Sequence, residues 1–274
     1  MSRLNAAPGS YSMKKLPISV FIIAKNEADR IGTAIRSARD WVDELHVIDS
    51  GSEDGTVQLS QELGAQTHFR AWTGYGPQKV YGETLCRNNW VLNLDADEEI
   101  SPELRDEIIA LFEKAEPECS AYRLQRTELY SFHDRPHPWA PTSDWVRLFR
   151  KDHAGYKDSA VHDTVVVRQG KTGRLRGRFW HRSFRSFRHH VDKVNSYSSA
   201  QAEDRFRKGR NPSWLTLLFT PPLAFLKCFI LRREFVNGID GVLISYMYAF
   251  QRFIRLAKTR ERFQLARRQN EKRE

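Results

Sequence analysis

The sequence predicts an α/β fold in which a mostly parallel sheet is covered by helices, and two observations support this prediction. First, apolar runs of strand length alternate with segments of helical periodicity through the N-terminal part of the chain. This alternation is the pattern of a parallel sheet. Second, three of the predicted strands end in polar residues, and sheets of this kind bind ligands beyond the carboxyl ends of their strands.

The predicted elements follow one another along the chain. Strands are predicted at 18–23, 45–48, 66–69 and 89–94, with helices at 29–39, 56–63 and 76–86 and a fourth helix that Ser101 caps and Pro102 begins. Beyond residue 118 the pattern changes to strands at 121–127, 145–149 and 163–167, and then to a basic helix at 186–208. The loops between these later strands are rich in His, Pro and Trp, a composition typical of binding surfaces.

The polar strand ends predict a site for a metal and a diphosphate. Asn26 and Glu27 follow the first strand, Asp49 ends the second, and Asp95 and Asp97 end the fourth. Two aspartates one residue apart at a strand end can turn toward one point, and hard divalent cations bind carboxylates together with phosphate oxygens. The competing interpretation is an acidic loop that leads into the next helix, and the neighbouring polar strand ends disfavour it.

Composition indicates a folded protein without a metal-cysteine or disulfide framework. The chain has 274 residues, of which 40% are hydrophobic, enough for a substantial core. Its three cysteines are scattered and form no CxxC pair, which fits a reducing cytosol. Residues 1–16 are predicted to be a disordered leader, because they lack the apolar core of a signal peptide.

Charge and hydrophobicity in the C-terminal part predict a membrane-surface region. The net charge is +10, and the basic residues cluster at 171–193 and 252–273. Residues 212–231 are apolar, and Pro221 and Pro222 are expected to divide them into two short interfacial or re-entrant helices. A second apolar stretch, 238–257, continues into the basic tail, as an amphipathic helix on an anionic membrane would. The alternative is that both segments pack on the catalytic domain or form a dimer interface.

Several motifs in this order resemble a known family. Three segments resemble glycosyltransferase family 2: Ile22–Glu27, Val47–Thr56 and Trp90–Glu98. Four more resemble its lipopolysaccharide-core branch, the inner-core β-glucosyltransferases: Trp72–Lys79, Arg147–Arg150, Val161–Asp163 and Lys193–Ser198.

The resemblance implies a GT-A fold and an inverting, metal-dependent transfer of glucose or a related hexose from a UDP-sugar. It implies a catalytic domain at 17–208, with a nucleotide-sugar-binding half at 17–118 and an acceptor half at 119–208, followed by a helical extension at 209–274. The implied acceptor is a lipopolysaccharide-core or related envelope glycan, and synthesis of exopolysaccharide or another glycolipid is the alternative. The implied location is the cytoplasmic face of the inner membrane, with Mg²⁺ or Mn²⁺ as the metal.

The resemblance also implies a role for individual residues. The nucleotide sugar would be bound by Asn26, Glu27, Asp49, Gln78, Lys79 and Asp95, and the metal by Asp95 and Asp97. Asp163 would be the general base, and Trp145, Arg147 and His162 would line the acceptor or diphosphate side. The sequence departs from the branch at Asp163, where glutamate is common, so the acceptor geometry is expected to differ. Asp144 and Asp158 are alternative bases.

Three other function classes fit the sequence less well. A nucleic-acid-binding protein is suggested by the charge, but no RNP, KH or helix-turn-helix pattern is present in the sequence. A nucleotidyltransferase would carry a glycine-rich triphosphate loop near the first strand, where Ala24–Glu27 stands instead. A catalytically inactive scaffold is disfavoured because Asp95, Asp97 and Asp163 are all present.

Overall fold

The computed structural model describes residues 15–114, 116–130, 133–159 and 164–271. His162 and Asp163 lie outside the described residues, as do residues 1–14 of the predicted leader. The chain forms two compact units, the first made of Met1–Arg126 and Ser143–His181 and the second of Thr127–Thr142 and Arg182–Glu274. The functional division predicted between residues 208 and 209 stays a prediction.

The elements alternate as predicted through the N-terminal part. The strands are β1 Leu16–Ala24, β2 Val42–Asp49, β3 Gln66–Phe69, β4 Trp90–Asp95, β5 Glu98–Ile100, β6 Ala121–Glu128, β7 Thr142–Arg150, β8 Ala154–Tyr156, β9 Val165–Val167 and β10 Thr172–His181. The α-helices are α1 Ile31–Ala38, α2 Thr56–Glu62, α3 Tyr75–Leu85, α4 Pro102–Lys114, α5 Phe187–Arg207, α6 Trp214–Leu226 and α7 Gly238–Glu271.

Eight strands form one mixed sheet in the order β3-β2-β1-β4-β7-β6-β10-β5. Strands β1 to β4 are parallel to one another, and β7 joins β4 in the antiparallel direction. The chain steps outward from β1 to β2 and β3 and then returns to the other side of β1 for β4, so the strand order reverses between β1 and β4. Crevices at such reversal points are where open α/β sheets bind ligands. The α/β fold of GT-A type is therefore confirmed.

Strand β1 is buried on both faces, which explains its uninterrupted apolar sequence. Ile18, Val20 and Ile22 pack in one core cluster with residues of α1 and α4. Phe21 and Ile23 point to the opposite face, into a second cluster with residues of α3. Helix α3 approaches this face closely, because a Cβ atom at Gly82 would lie 2.5 Å from the Phe21 ring. A side chain larger than hydrogen is therefore excluded at this position.

A short pairing between β5 and β10 closes the far edge of the sheet. Ile100 pairs with Phe179, and Glu98 pairs with His181, in the antiparallel direction. Strand β5 has only three residues and was not predicted from the sequence. Its consequence is that the last residue of β10 lies beside the acidic cluster that follows β4.

The second unit contains the three C-terminal helices. Helices α5 and α7 contact each other through the Phe206 and Phe263 rings, whose centroids lie 4.8 Å apart. Nζ of Lys258 on α7 also donates to the Asn195 carbonyl and to the Ser198 hydroxyl of α5, at 2.7 and 2.9 Å. Helix α6 packs on α7 through Phe225, whose ring lies 4.7 Å from that of Tyr246.

The expected break at Pro221 and Pro222 is wrong. Helix α6 runs through both prolines and continues as a π-helical turn to Leu231. The fixed φ of proline fits a helix, and the cost is two missing N–H donors, which leaves the carbonyls of Leu217 and Leu218 without their usual partners. Within the described residues, the segment Trp214–Leu231 has the length and composition to cross a membrane, with a mean hydropathy of 1.7 over 18 residues.

Candidate active site

Three neighbouring strands bring the predicted donor residues to one edge of the sheet. Asp49 at the end of β2 is the register partner of Ala24 at the end of β1, and Asp95 at the end of β4 is the partner of Ile23. Asn26 and Glu27 continue directly from β1. The convergence expected from the parallel pattern is therefore present at the reversal point of the sheet.

Asp95 is held between two buried cations. Lys79 Nζ lies 2.9 Å from Oδ1 of Asp95, and Arg147 Nη2 lies 3.0 Å from Oδ2. The Lys79 side chain is fully buried and that of Arg147 nearly so. The same Nη2 atom of Arg147 lies 2.8 Å from Glu98, whose other oxygen accepts a hydrogen bond of 2.9 Å from the Asp95 backbone N–H. Buried charges need such partners, so these groups depend on one another for their stability.

The two carboxylates beside Arg147 respond differently to this environment. Burial raises the pKa of a carboxyl group, but at Asp95 the charges of Arg147 and Lys79 outweigh burial and hold the pKa well below its ordinary value. At Glu98, burial and the nearby charge of Asp95 both raise the pKa, and Arg147 lowers it. The raising effects prevail, so the pKa of Glu98 is about 7. Asp95 is therefore the carboxylate that carries the negative charge against Arg147 and Lys79.

Asp97 contacts a different pair of basic residues. His181 Nε2 lies 3.2 Å from Oδ2 of Asp97, and Arg30 Nη1 lies 3.5 Å from the same oxygen. Burial raises the pKa of Asp97, but His181 and Arg30 more than offset this effect, so the pKa falls below its ordinary value. Asp97 is thus ionised at neutral pH and faces a histidine.

The residues after β1 and β2 form an interlocked pair of turns. Asn26 has a left-handed backbone, with φ of 55°, and its side-chain oxygen accepts from Glu53 N–H at 2.9 Å. Oδ2 of Asp49 accepts from the N–H groups of Gly51 and Ser52, both at 2.8 Å. In this structure Asp49 therefore organises its own turn, the Asx-type arrangement that such residues favour.

Glu27 and Arg30 connect this loop to the acidic cluster. The Glu27 carboxylate is paired with Arg30, whose Nη2 donates to Oε1 at 3.0 Å, and Arg30 reaches on to Asp97. Burial lowers the pKa of a guanidinium, yet the pKa of Arg30 is raised because Glu27 and Asp97 stabilise its charge. Glu27, a predicted nucleotide-sugar ligand, and Asp97, a predicted metal ligand, therefore share one cation.

The two residues of α3 that are predicted to bind the nucleotide sugar, Gln78 and Lys79, are fully buried. Gln78 donates from Nε2 to the Ser50 hydroxyl at 2.7 Å and to the Arg70 carbonyl at 3.0 Å. Lys79 faces Asp95, and its ammonium also lies 5.2 Å from the centre of the Tyr156 ring. Gln78 thus supports the loop after β2, and Lys79 supports the carboxylate of Asp95. Direct contact of either side chain with a nucleotide sugar stays a prediction.

Two of the three predicted acceptor-side residues, Trp145 and Arg147, lie on β7, and the third, His162, is outside the described residues. Arg147 belongs to the buried cluster, whereas Trp145 is partly exposed and donates from Nε1 to the Ser143 hydroxyl at 3.0 Å. Of the alternative bases, Asp144 accepts from Arg174 at 3.1 Å and Asp158 is exposed. On β7, Arg147 therefore stabilises the carboxylates at the strand ends, whereas Trp145 is accessible to solvent.

Asp97 and His181 have a spacing that suits a divalent cation. In an octahedral site with ligands at about 2.1 Å, neighbouring ligand atoms lie about 3 Å apart, and the observed Oδ2 to Nε2 distance is 3.2 Å. In the described part of the chain, no group of three or more His, Cys, Asp or Glu side chains is arranged to hold a metal ion. Magnesium is often held by one or two carboxylates, with substrate phosphates and water completing its shell, so these residues fit a cation that arrives with a diphosphate.

Three residues of this site were not predicted from the sequence: Arg30, Glu98 and His181. His181 comes into place only through the β5–β10 pairing, which joins segments far apart in the chain and leaves no local sequence signal. Cavity volume does not locate the site either, since a cavity of about 430 Å³ in the first unit, beside Glu107 and Tyr122, is lined by none of the predicted site residues.

Sequence comparison places the chain among known proteins. The profile of Glycosyl transferase family 2 matches residues 19–170. An uncharacterized glycosyltransferase of Rickettsia prowazekii is 42% identical over 91% of this chain and 88% of its own length. The lipopolysaccharide core biosynthesis glycosyltransferase LpsC of Rhizobium meliloti is 30% identical over 93% of this chain and 96% of its own length.

Two solved structures are similar to the chain at low sequence identity. Glucosyl-3-phosphoglycerate synthase from Mycobacterium tuberculosis, solved with Mn²⁺, UDP and glucosyl-3-phosphoglycerate, is 23% identical over 42% of this chain and 44% of that chain, with a TM-score of 0.34. Residues 1–349 of TarS from S. aureus are 12% identical over 91% of both chains, with a TM-score of 0.44. On the family profile and the close relatives, the chain belongs to glycosyl transferase family 2 and is a glycosyltransferase.

Proposed function

We propose that this enzyme is an inverting, metal-dependent hexosyltransferase that moves glucose or a related sugar from a UDP-sugar to a lipopolysaccharide-core or related envelope glycan. The observation that carries the proposal is that Asp97 lies 3.2 Å from His181, at the strand ends where Asn26, Glu27 and Asp49 also lie. A site of this kind can bind a nucleotide on one side and a divalent cation on the other.

Asp95 and Asp97 are the proposed metal-binding pair, and His181 is a further candidate ligand. Asp95 is already compensated by Lys79 and Arg147, so its expected role is to orient the strand end and to contact ribose or metal-bound water. Mg²⁺ or Mn²⁺ held here would supply positive charge to the departing diphosphate. Lys79 and Arg147 fix Asp95, and Arg30 and His181 contact Asp97, before substrate arrives, which avoids reorganisation during the reaction.

Asp163 is the proposed general base. Inversion requires one group that removes the proton of the acceptor hydroxyl as this hydroxyl attacks the anomeric carbon. An aspartate supplies the same chemistry as the glutamate common in the lipopolysaccharide-core branch, on a side chain one carbon shorter. His162 and Trp145 are proposed to line the acceptor side with it.

The proposed acceptor is a glycolipid, and similarity to LpsC over nearly the whole length of both chains supports this class of substrate. The second unit offers a suitable surface. Leu223, Leu226, Ile230 and Leu231 are between 48% and 76% exposed, so helix α6 and the turn after it present apolar side chains to solvent. Exposed apolar area of this extent is typical of a protein or membrane contact site.

An anionic membrane surface is the proposed partner, with the enzyme peripheral on the cytoplasmic face of the inner membrane. Basic residues of α7 supply the complementary charge, about 1 kcal/mol for each Lys or Arg near an anionic surface. The missing N–H donors of Pro221 and Pro222 favour a surface position over a full span, because unpaired carbonyls are costly in hydrocarbon and water can satisfy them at the interface.

Metal-dependent release of UDP tests the catalytic part of this proposal. Purified full-length protein is incubated with a panel of UDP-sugars, with Mn²⁺, with Mg²⁺ or with EDTA, and free UDP is measured. We expect one UDP-hexose to be turned over and EDTA to abolish the release. Mass analysis of envelope glycolipid from a deletion strain then identifies the acceptor as the species that lacks one hexose. Release that EDTA does not affect would contradict the metal assignment.

A further inference from the structure

The second unit contains a cavity of about 330 Å³ whose lining includes none of the residues proposed to bind the nucleotide sugar or the metal. All of the residues that line it belong to this unit. Its walls come from α5, from α7, from the turn between α6 and α7, and from the segment that follows β6. Specific small-molecule sites have volumes of roughly 300–1,000 Å³, so this cavity has room for one sugar-sized group.

Hydrogen-bond acceptors form the floor of the cavity. Glu234 is nearly buried, and its Oε2 accepts from the Tyr130 hydroxyl at 2.9 Å and from the Asn237 amide at 2.8 Å. Glu128 accepts from the Ser183 hydroxyl at 3.0 Å. Burial and the nearby charge of Glu128 both raise the pKa of Glu234. Carboxylates of this kind can accept hydrogen bonds from the hydroxyls of a sugar.

Two cations stand at the rim. Lys193 on α5 and Arg232 after α6 are both exposed, and neither forms an ion pair with any residue that the structure describes. The Arg232 guanidinium lies 4.7 Å from the centre of the Tyr248 ring, which limits where it can point. A third group, His190, adds little charge, because burial and Lys193 both lower its pKa. The rim can thus receive an anion.

Apolar surface completes the cavity. Phe184, Ile244 and Met247 lie in its walls, and Tyr197 stands one helical turn from Lys193 on the same face of α5. An aromatic ring beside hydrogen-bonding groups suits the C–H face of a pyranose. A purely lipidic ligand would instead desolvate the carboxylates without replacing their hydrogen bonds, which is unfavourable.

We propose that this cavity binds a phosphorylated sugar, with phosphate at Lys193 and Arg232 and the sugar hydroxyls at Glu128 and Glu234. This inference rests on the proposed function, since it assigns the ligand to the acceptor of the same enzyme. Arg232 directly follows Leu231, which is 76% exposed on the proposed membrane face. A headgroup at the surface of a bilayer would therefore be within reach of the rim.

Calorimetric titration of the full-length protein tests the cavity with three soluble probes: glucose 6-phosphate, glucose and inorganic phosphate. We expect glucose 6-phosphate to bind most tightly, because it alone engages both rim and floor. The double variant Lys193→Gln/Arg232→Gln should weaken its binding by about tenfold or more for each cation lost. The matched control Arg260→Gln/Arg268→Gln removes two exposed cations of α7 that do not line the cavity and should bind as the wild type does.

Three results would overturn the inference: no probe binds at millimolar concentration, inorganic phosphate binds as tightly as glucose 6-phosphate, or the double variant binds normally. A competition experiment with vesicles distinguishes a lipid-linked sugar phosphate from a soluble one. If lipid A in phosphatidylcholine vesicles competes with glucose 6-phosphate and plain phosphatidylcholine does not, the sugar phosphate is lipid-linked. If neither competes, it is soluble and the site is not for a glycolipid acceptor, which overturns the acceptor assignment.

The titration also separates this inference from the function on which it rests. UDP-sugar turnover without binding of glucose 6-phosphate leaves the transferase proposal intact and removes only the cavity assignment. Binding without turnover of any UDP-sugar leaves a sugar-phosphate site and contradicts the proposed donor.

Discussion

Replacing two exposed leucines of the C-terminal apolar surface should release the enzyme from anionic vesicles. Leu223 and Leu231 are 62% and 76% exposed, so about two-thirds of each side chain is available to enter a bilayer interface. Full burial of a leucine contributes about 1.5–3 kcal/mol, so these two contribute about 2–4 kcal/mol together. The variant Leu223→Ser/Leu231→Ser should therefore partition into vesicles roughly 30-fold to 1,000-fold less well.

The measurement is co-sedimentation with vesicles of phosphatidylcholine and phosphatidylglycerol over a range of lipid concentrations. Because both leucines are already exposed, the folded state gains little from them, and the thermal midpoint should stay close to that of the wild type. The matched control is Val166→Ser on β9, which removes an apolar side chain that is 45% exposed in the first unit. This control should sediment as the wild type does.

Binding of the double variant within threefold of the wild type would refute the reasoning. The apolar surface would then have another use, such as contact with a second protein, and the basic residues alone would account for membrane attraction. Repeating the assay at high salt separates these cases, because charge-driven binding weakens as salt screens it and apolar insertion does not.

Four further changes test the active site and its supports. Asp97→Ala should lower transfer at least about 100-fold with the fold intact, because the cation that would stabilise the departing diphosphate loses a ligand. Asp163→Asn should keep UDP-sugar binding but lower turnover about 100-fold or more, since general-base catalysis contributes about that much. Arg147→Met should lower the free energy of unfolding by about 3–5 kcal/mol in urea, because Asp95 loses a buried partner. Burial raises the pKa of Glu83 to about 7. In the folded protein Glu83 therefore holds a proton that it releases near pH 4.5 in the unfolded chain. Its contribution to the free energy of unfolding should fall by up to about 3 kcal/mol as pH rises from 4.5 to 7. Glu83→Gln should remove this part of the pH dependence.

Each of the catalytic predictions has a control and a contradicting outcome. Asp106→Ala removes an exposed carboxylate of α4 and should leave transfer unchanged. Near-normal turnover of Asp97→Ala would remove that residue from metal binding. Full activity of Asp163→Asn would move the general base to Asp144 or Asp158.

The stability predictions are checked in the same way. Arg174→Met removes a guanidinium that is 58% exposed and should change the unfolding free energy by no more than about 0.5 kcal/mol. If Arg147→Met changed the unfolding free energy no more than Arg174→Met does, Asp95 and Glu98 would not depend on Arg147 for their stability. Parallel pH profiles for the wild type and Glu83→Gln would show that burial of Glu83 costs nothing.

The parallel half of the sheet could be predicted because its signals are local. Strands β1, β2 and β4 each contain a short apolar run and are each followed or ended by polar residues, so Asp49 and Asp95 could be assigned to one edge without knowing any pairing in detail. The same local signals located α7, whose apolar and basic parts form one helix through residue 271.

Contacts between distant segments could not be predicted in this way. His181 reaches Asp97 through a three-residue strand whose sequence, Glu98–Ile100, is too short to show a period. The prolines of α6 misled for a different reason. Their usual effect is to end a helix, but at the surface the freed carbonyls can bind water, and continued packing of Phe225 on α7 maintains the helix.

The register of β5 with β10 also sets an order in which the active site can form during synthesis. Strands β1 to β4 all lie within residues 16–95, so they can assemble while the rest of the chain is still on the ribosome. His181 is the last residue of β10, so its pairing with Glu98 must wait until that strand has been made. A nascent chain that has reached β9 would therefore already hold the proposed nucleotide side of the site, and it would gain the histidine beside Asp97 only after β10 has emerged and paired.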